Sequence, residues 1–174
     1  MKYKYIFYVF LCIFITLTLN AYKSEDELTV ALVGKIAKFI EWPEKSEKYF
    51  QITVLKNPFG DLFEKTYANR KIKNQKVAIT YIEKIEDLGN PSIFFVPQVP
   101  SNELKKIIDY TVDKKILLIS NARAFAEKGG AIQVYFTSQK PRLKINLERT
   151  NKQEFEIKSS LLRIAEVLRP ENGK

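Results

Sequence analysis

Residues 92–120 read SIFFVPQVPSNELKKIIDYTVDKKILLIS. The stretch opens and closes on short apolar runs, residues 92–96 and 115–119, with almost no polar alternation. That is the pattern of strands buried on both faces. Between them, Pro97 and Pro100 bracket a loop, and Ser101 caps a helix running to about Thr111. Leu104, Ile107 and Ile108 share one side of that helix. Two buried strands joined through a helix make a parallel crossover, because a tight turn cannot connect parallel neighbours.

The same alternation extends outward. On the N-terminal side, residues 50–55 (FQITVL) and 77–82 read as strands. Between them lie the turn Asn57-Pro58-Phe59-Gly60 and a short helix over residues 61–69, with Leu62 and Phe63 facing inward. Further upstream, residues 24–43 (SEDELTVALVGKIAKFIEWP) read as one helix. Ser24 and Glu27 form a capping box, and Glu25, Asp26 and Glu27 oppose the positive end of the helix dipole. Leu28, Ala31, Leu32, Ile36, Phe39 and Ile40 make its apolar face, with Lys35, Lys38 and Glu41 off that face. Pro43 ends it.

On the C-terminal side, Asn121 leads into a short helix through Phe125 and Ala126, which Gly129-Gly130 breaks. Residues 131–137 and 142–147 form an antiparallel hairpin across Ser138-Gln139-Lys140-Pro141. A last helix starts at Ser159 and runs through Leu168, before Pro170. The expectation is a three-layer α/β fold: a mixed, mostly parallel sheet, helices on both faces, and a C-terminal antiparallel hairpin.

Residues 1–21 stand apart. Lys2 and Lys4 precede an apolar run over residues 6–19, and Asn20-Ala21 supplies a small residue for cleavage, so this is a secretory signal peptide. The run is shorter than the roughly 20 residues of a membrane span. An uncleaved N-terminal anchor is the alternative. Residues 22–174 then form a single domain. With the signal goes Cys12, the only cysteine of the 174 residues, and with it any disulfide, thiolate nucleophile or thiolate metal site. From 29 Lys and Arg against 20 Asp and Glu, losing Lys2 and Lys4 takes the net charge from +9 to +7. The lysines are scattered among acids, as in Glu44-Lys45 and Glu83-Lys84. A solvated surface mildly attractive to anionic partners fits this better than a nucleic-acid interface.

The chain has no histidine, which removes the commonest general base and the serine triad. Gly129-Gly130 lacks the context of a phosphate loop. The reading is therefore of a protein that binds and does not catalyse, with no cofactor and no metal. The loops at one sheet edge are Asn57-Pro58-Phe59-Gly60, Pro97 to Pro100, and Ser120-Asn121, where ligands of such folds bind. Trp42 and Phe59 are each either core packing or an anchor for a partner. Gly129 and Gly130 form a structural turn that permits positive φ. The surface expected to meet a partner or ligand comprises Lys35, Lys38, Glu41, Trp42, Asn57, Pro58, Phe59, Gly60 and Asn121.

Six segments carry a resemblance: VALVGKIAKFIEWP (30–43) with FQITVL behind it, NPFGDLF (57–63), IFFV (93–96), ILLISNARAFAEKGGAIQVYF (116–136) and LKINLERTNKQEFEIKSSLLRIAEVL (143–168). In this order they resemble the YfiR family of exported bacterial regulators. The resemblance implies a periplasmic α/β protein able to dimerise. It implies repression of a membrane diguanylate cyclase by direct binding, and so control of cyclic di-GMP and biofilm formation. The chain departs from characterised relatives in lacking the cysteines of their redox response. A small-ligand-binding or accessory protein for a membrane sensor kinase is the alternative.

Overall fold

The computed structural model describes residues 24–43 and 47–169; the expected signal peptide lies outside them. In chain order the elements are α1 (Glu25–Ala37), β1 (Ile40–Glu41), β2 (Tyr49–Leu55), α2 (Leu62–Tyr67), β3 (Lys71–Ile72) and β4 (Gln75–Ile82). A 3-10 turn at Ile85–Asp87 leads to β5 (Ile93–Val96), α3 (Ser101–Thr111), β6 (Leu117–Ser120), β7 (Ile132–Thr137) and β8 (Lys140–Asn146). The chain closes with α4 (Leu147–Lys152), β9 (Glu156–Ile157), α5 (Ser159–Leu162) and β10 (Glu166–Leu168).

Eight strands form one sheet in the order β10-β8-β7-β6-β5-β2-β4-β3, and β1 pairs with β9 in a separate two-stranded ladder. The strands β4, β2, β5, β6 and β7 are mutually parallel, β8 is antiparallel to β7, and β3 is antiparallel to β4. The unit over residues 93–120 is the parallel crossover that its sequence indicates. All four residues of β5 and Leu117, Leu118 and Ile119 of β6 have no exposed surface. From the centre, β2 crosses through α2 to β4 on one side, and β5 crosses through α3 to β6 on the other. Right-handed crossovers in opposite directions put the two helices on opposite faces. Helix α1 packs on α2 and β8.

Several elements differ from the sequence expectation. Helix α1 ends at Ala37, not at Pro43, and Ile40–Glu41 form β1, pairing with Glu156–Ile157. The indole of Trp42 explains the early stop: its Nε1 donates to the carbonyl of Ala37 at 3.0 Å and closes the helix end. The buried face of α1 is Thr29, Val30, Val33, Gly34, Ile36 and Ala37, while Leu28, Ala31 and Leu32 are only partly covered. Residues 122–129 are turns without a helix. Here the buried Gln133 side chain accepts from the amides of Phe125 (3.0 Å) and Ala126 (3.5 Å), which holds the backbone in irregular form. The hairpin turn is only Ser138-Gln139, both at positive φ, and Pro141 lies inside β8 opposite Phe136.

The last expected helix keeps one turn, α5, and then becomes β10, which lies parallel to β8 through Glu166↔Lys144 to Leu168↔Asn146. An open ladder on β8 outweighs local helix preference for this run. The hairpin is therefore internal to the sheet, with β10 outside it.

Candidate functional site

The residues singled out from sequence fall in three places. The first is the carboxyl edge of the parallel strands. The turn after β2, the loop after β5 and the residues after β6 all leave this edge, and the chain reverses its direction of winding between β2 and β5. Such a switch point is the usual ligand crevice of a doubly wound sheet. Two buried side-chain oxygens here have no hydrogen-bond partner among the described residues, Asn57 Oδ1 and Asn121 Oδ1. Lys56 and Asn57 both have positive φ (55° and 23°), a conformation that costs a side chain free energy. Nearby, Lys56 Nζ meets Glu103 Oε1 at 2.7 Å, joining β2 to the first turn of α3.

Phe59 is not part of an open surface. It is 6% exposed and meets Phe63 and Phe95 edge-on, with ring centroids 5.6 and 5.3 Å away. Pro58 and Gly60 are exposed, and Gly60 takes the positive φ (57°) that lets the turn fold back into α2. Gly129 has φ of 97°, and a Cβ on Gly130 would lie 2.2 Å from the Phe125 ring.

The second place is a cleft of about 230 Å³ beside Trp42, lined also by Glu41, Phe50, Lys73 and Gln75. Trp42 is half-buried. Its ring stands edge-on to Phe50 (5.1 Å) and Phe155 (5.2 Å), so it ties β1 to β2 and to the segment before β9. Glu41 is committed to structure as well. Its carboxylate lies 2.9 Å from Lys158 Nζ and 3.5 Å from Lys73 Nζ. The hydrogen bond from Lys158, then the charge of Lys73, hold its pKa below the ordinary carboxylate value.

The third place is a larger cleft of about 430 Å³ between α1 and the connection from α2 to β3. Lys35 and Lys38 of the expected set line it, together with Arg70, Lys71, Tyr67 and Gly34. At its floor the Tyr67 hydroxyl accepts from the Gly34 amide at 2.7 Å and donates to the Val30 carbonyl at 2.6 Å. Those two groups are the i and i+4 partners of a helix, so the phenol reaches into the hydrogen-bond ladder of α1. Burial pushes the Tyr67 pKa up to about 12.

The expected set is thus divided: Lys35 and Lys38 in one cleft, Glu41 and Trp42 beside another, and Asn57 and Asn121 at the carboxyl edge. Sequence reading missed Arg70, Lys71, Tyr67 and Gly34. Their signal was the adjacent Arg-Lys pair, but only the packing of α2 on α1 brings that pair opposite Lys35 and Lys38. No group of three or more His, Cys, Asp or Glu among the described residues could hold a metal ion. No described helix is long and apolar enough to cross a membrane.

A family model described as YfiR/HmsC-like matches residues 26–166. A search of curated proteins finds no significant match. Among solved structures, the chain is similar to a conserved domain protein from Vibrio cholerae O1 biovar El Tor. The TM-score is 0.60 and the identity 14%, covering 84% of this chain and 60% of that one. It is also similar to an ABC domain from Streptococcus pneumonia solved in complex with L-Trp. There the TM-score is 0.54 and the identity 13%, covering 82% of this chain and 60% of that one. The chain therefore spans about three-fifths of the length of each, and at these identities the likeness concerns the fold.

Proposed function

Because the chain belongs to the YfiR/HmsC-like family, we propose that it is a periplasmic regulator that binds a membrane signalling protein, a diguanylate cyclase, and holds it inactive. The observation that carries this reading is the family match over residues 26–166, from the second residue of α1 to the first residue of β10. Residues 1–21 serve as the export signal on this reading. The protein acts by binding rather than by catalysis. Lys35, Lys38 and Trp42, exposed or half-exposed on or just beyond α1, are the first part of the surface that we assign to the partner.

Deleting the gene tests the reading directly. Cellular cyclic di-GMP is expected to rise and to return to its starting level on complementation. Affinity capture of the chain from solubilised membranes is expected to recover a cyclase. An unchanged cyclic di-GMP level, or recovery of a sensor kinase in place of a cyclase, overturns it.

A further inference from the structure

Eight lysines of the described chain, from Lys56 to Lys158, stand within 4.0 Å of a carboxylate. The other sixteen described lysines and arginines do not, and four of these gather around the cleft between α1 and β3. Lys35, Lys38, Arg70 and Lys71 have no carboxylate partner among the described residues, and no described carboxylate lines the cleft. Lys35 and Lys38 are three apart and so share one side of the helix, where like charges repel. Arg70 and Lys71 line the cleft from the connection after α2 and the start of β3. Lys35 lies in the last turn of α1, Lys38 caps it and Arg70 comes just after α2, and the dipole of a helix C-terminus favours cations. Two such termini supply at most about one negative charge, against four positive ones. The cleft is therefore left with a concentrated positive charge and no counter-charge from the described residues.

Its volume is that of a small-molecule site. A volume of about 430 Å³ lies within the usual range of ligand pockets, roughly 300–1,000 Å³. Ala31, the edge of the Tyr67 ring and Ile72 supply apolar contact beneath the charged rim. The Tyr67 hydroxyl is occupied by the backbone of α1, so recognition falls to the cations. An ammonium or guanidinium at the rim binds phosphate and carboxylate oxygens through charge-assisted hydrogen bonds.

We propose that this cleft binds a multivalent anion, a small species carrying two or more phosphate or carboxylate groups. The cleft shares Lys35 and Lys38 with the surface assigned to the partner, but its test on the purified chain alone can fail or succeed without the cyclase reading. The anion has two possible sources, a free solute or the headgroup of an acidic lipid, and the binding chemistry is the same for both.

The test uses the purified full chain with pyrophosphate and citrate as probes in isothermal titration. Co-sedimentation with vesicles containing cardiolipin, whose headgroup carries two phosphates, runs in parallel, both at low salt of about 50 mM. Saturable binding of pyrophosphate or citrate that weakens about tenfold or more in Lys35→Ala/Lys38→Ala and in Arg70→Ala/Lys71→Ala establishes the free-solute form. Vesicle binding alone, lost in the same two variants, establishes the headgroup form. Lys105→Ala/Lys152→Ala removes equal charge elsewhere and is expected to leave binding within about threefold of the parent. Unchanged thermal midpoints verify that the variants remain folded. The proposal is overturned if neither probe nor vesicle binds, or if the control pair weakens binding as much as the cleft pairs. Binding of a hexaglutamate peptide without either probe also overturns it, in favour of an acidic protein segment.

Discussion

Tyr67 joins α2 to α1 through its buried hydroxyl. Its pKa is pushed up to about 12, mainly by burial, against about 10 for an exposed tyrosine. The fold thus favours the protonated phenol. Its contribution is fully present below pH about 10 and is lost as the pH rises through about 12. Unfolding free energy by urea titration is expected to fall by about 2 kcal/mol between pH 9 and pH 11.5 from this group, and the fall disappears in Tyr67→Phe. At neutral pH the same variant costs only about 1 kcal/mol, because the freed Val30 carbonyl and Gly34 amide can bond to each other. The neighbouring glycine reads the same packing. A Cβ at Gly34 would lie 2.6 Å from Tyr67 Cε1. Gly34→Ala is expected to destabilise by about 1–3 kcal/mol in the parent. In Tyr67→Ala it should become stabilising by about 1 kcal/mol, since only the helix preference then remains. A double-mutant cycle in urea measures both values.

At the scale of elements, α4 carries the most consequential contacts that the sequence does not advertise. The buried Arg149 donates to Thr111 Oγ1 at 3.0 Å, to the Ile108 carbonyl at 3.4 Å and to Gln153 Oε1 at 3.2 Å. Gln153 Nε2 in turn donates to the carbonyls of Thr111 (3.0 Å) and Ile116 (3.2 Å). These two residues satisfy the C-terminal end of α3, where a cation also meets a favourable dipole. Gln153→Ala is expected to cost about 1–3 kcal/mol in thermal or urea unfolding, by stranding buried carbonyls. None of this was visible in LERTNK, which has no apolar period of its own. The strands β2, β5 and β6 and helix α3 were legible because their side chains announce burial on two faces or on one. Elements β1, β9 and β10 were not, because two or three residues carry no period, and each exists only where a partner backbone waits for it. The clefts were legible in part for the same reason: Lys35 and Lys38 stand on one visible helix, while their counterparts at residues 70 and 71 meet them only through tertiary packing.

At the scale of the molecule, the sheet ends in two short strands, two residues of β3 on one side and three of β10 on the other. Short edges limit pairing with other chains. Strand β10 also covers the last three of the seven residues of β8, Lys144 to Asn146. A chain cut before Glu166 is expected to form larger assemblies with rising concentration in multi-angle light scattering than the full chain does. Val167→Pro, which removes a ladder amide, is expected to do so to a lesser degree. The ladder between β1 and β9 has a different bearing, on the order of events during synthesis. Helix α1 packs on the nearby α2, but Ile40 pairs with Ile157 and α1 also packs on β8, so the contacts of this N-terminal segment are complete only after almost the whole chain has been made. Contacts so distant in sequence must first meet the entropy of closing a long loop. A nascent chain with this wiring cannot close its N-terminal segment onto the sheet until its last strands are free, a property that suits the export we propose.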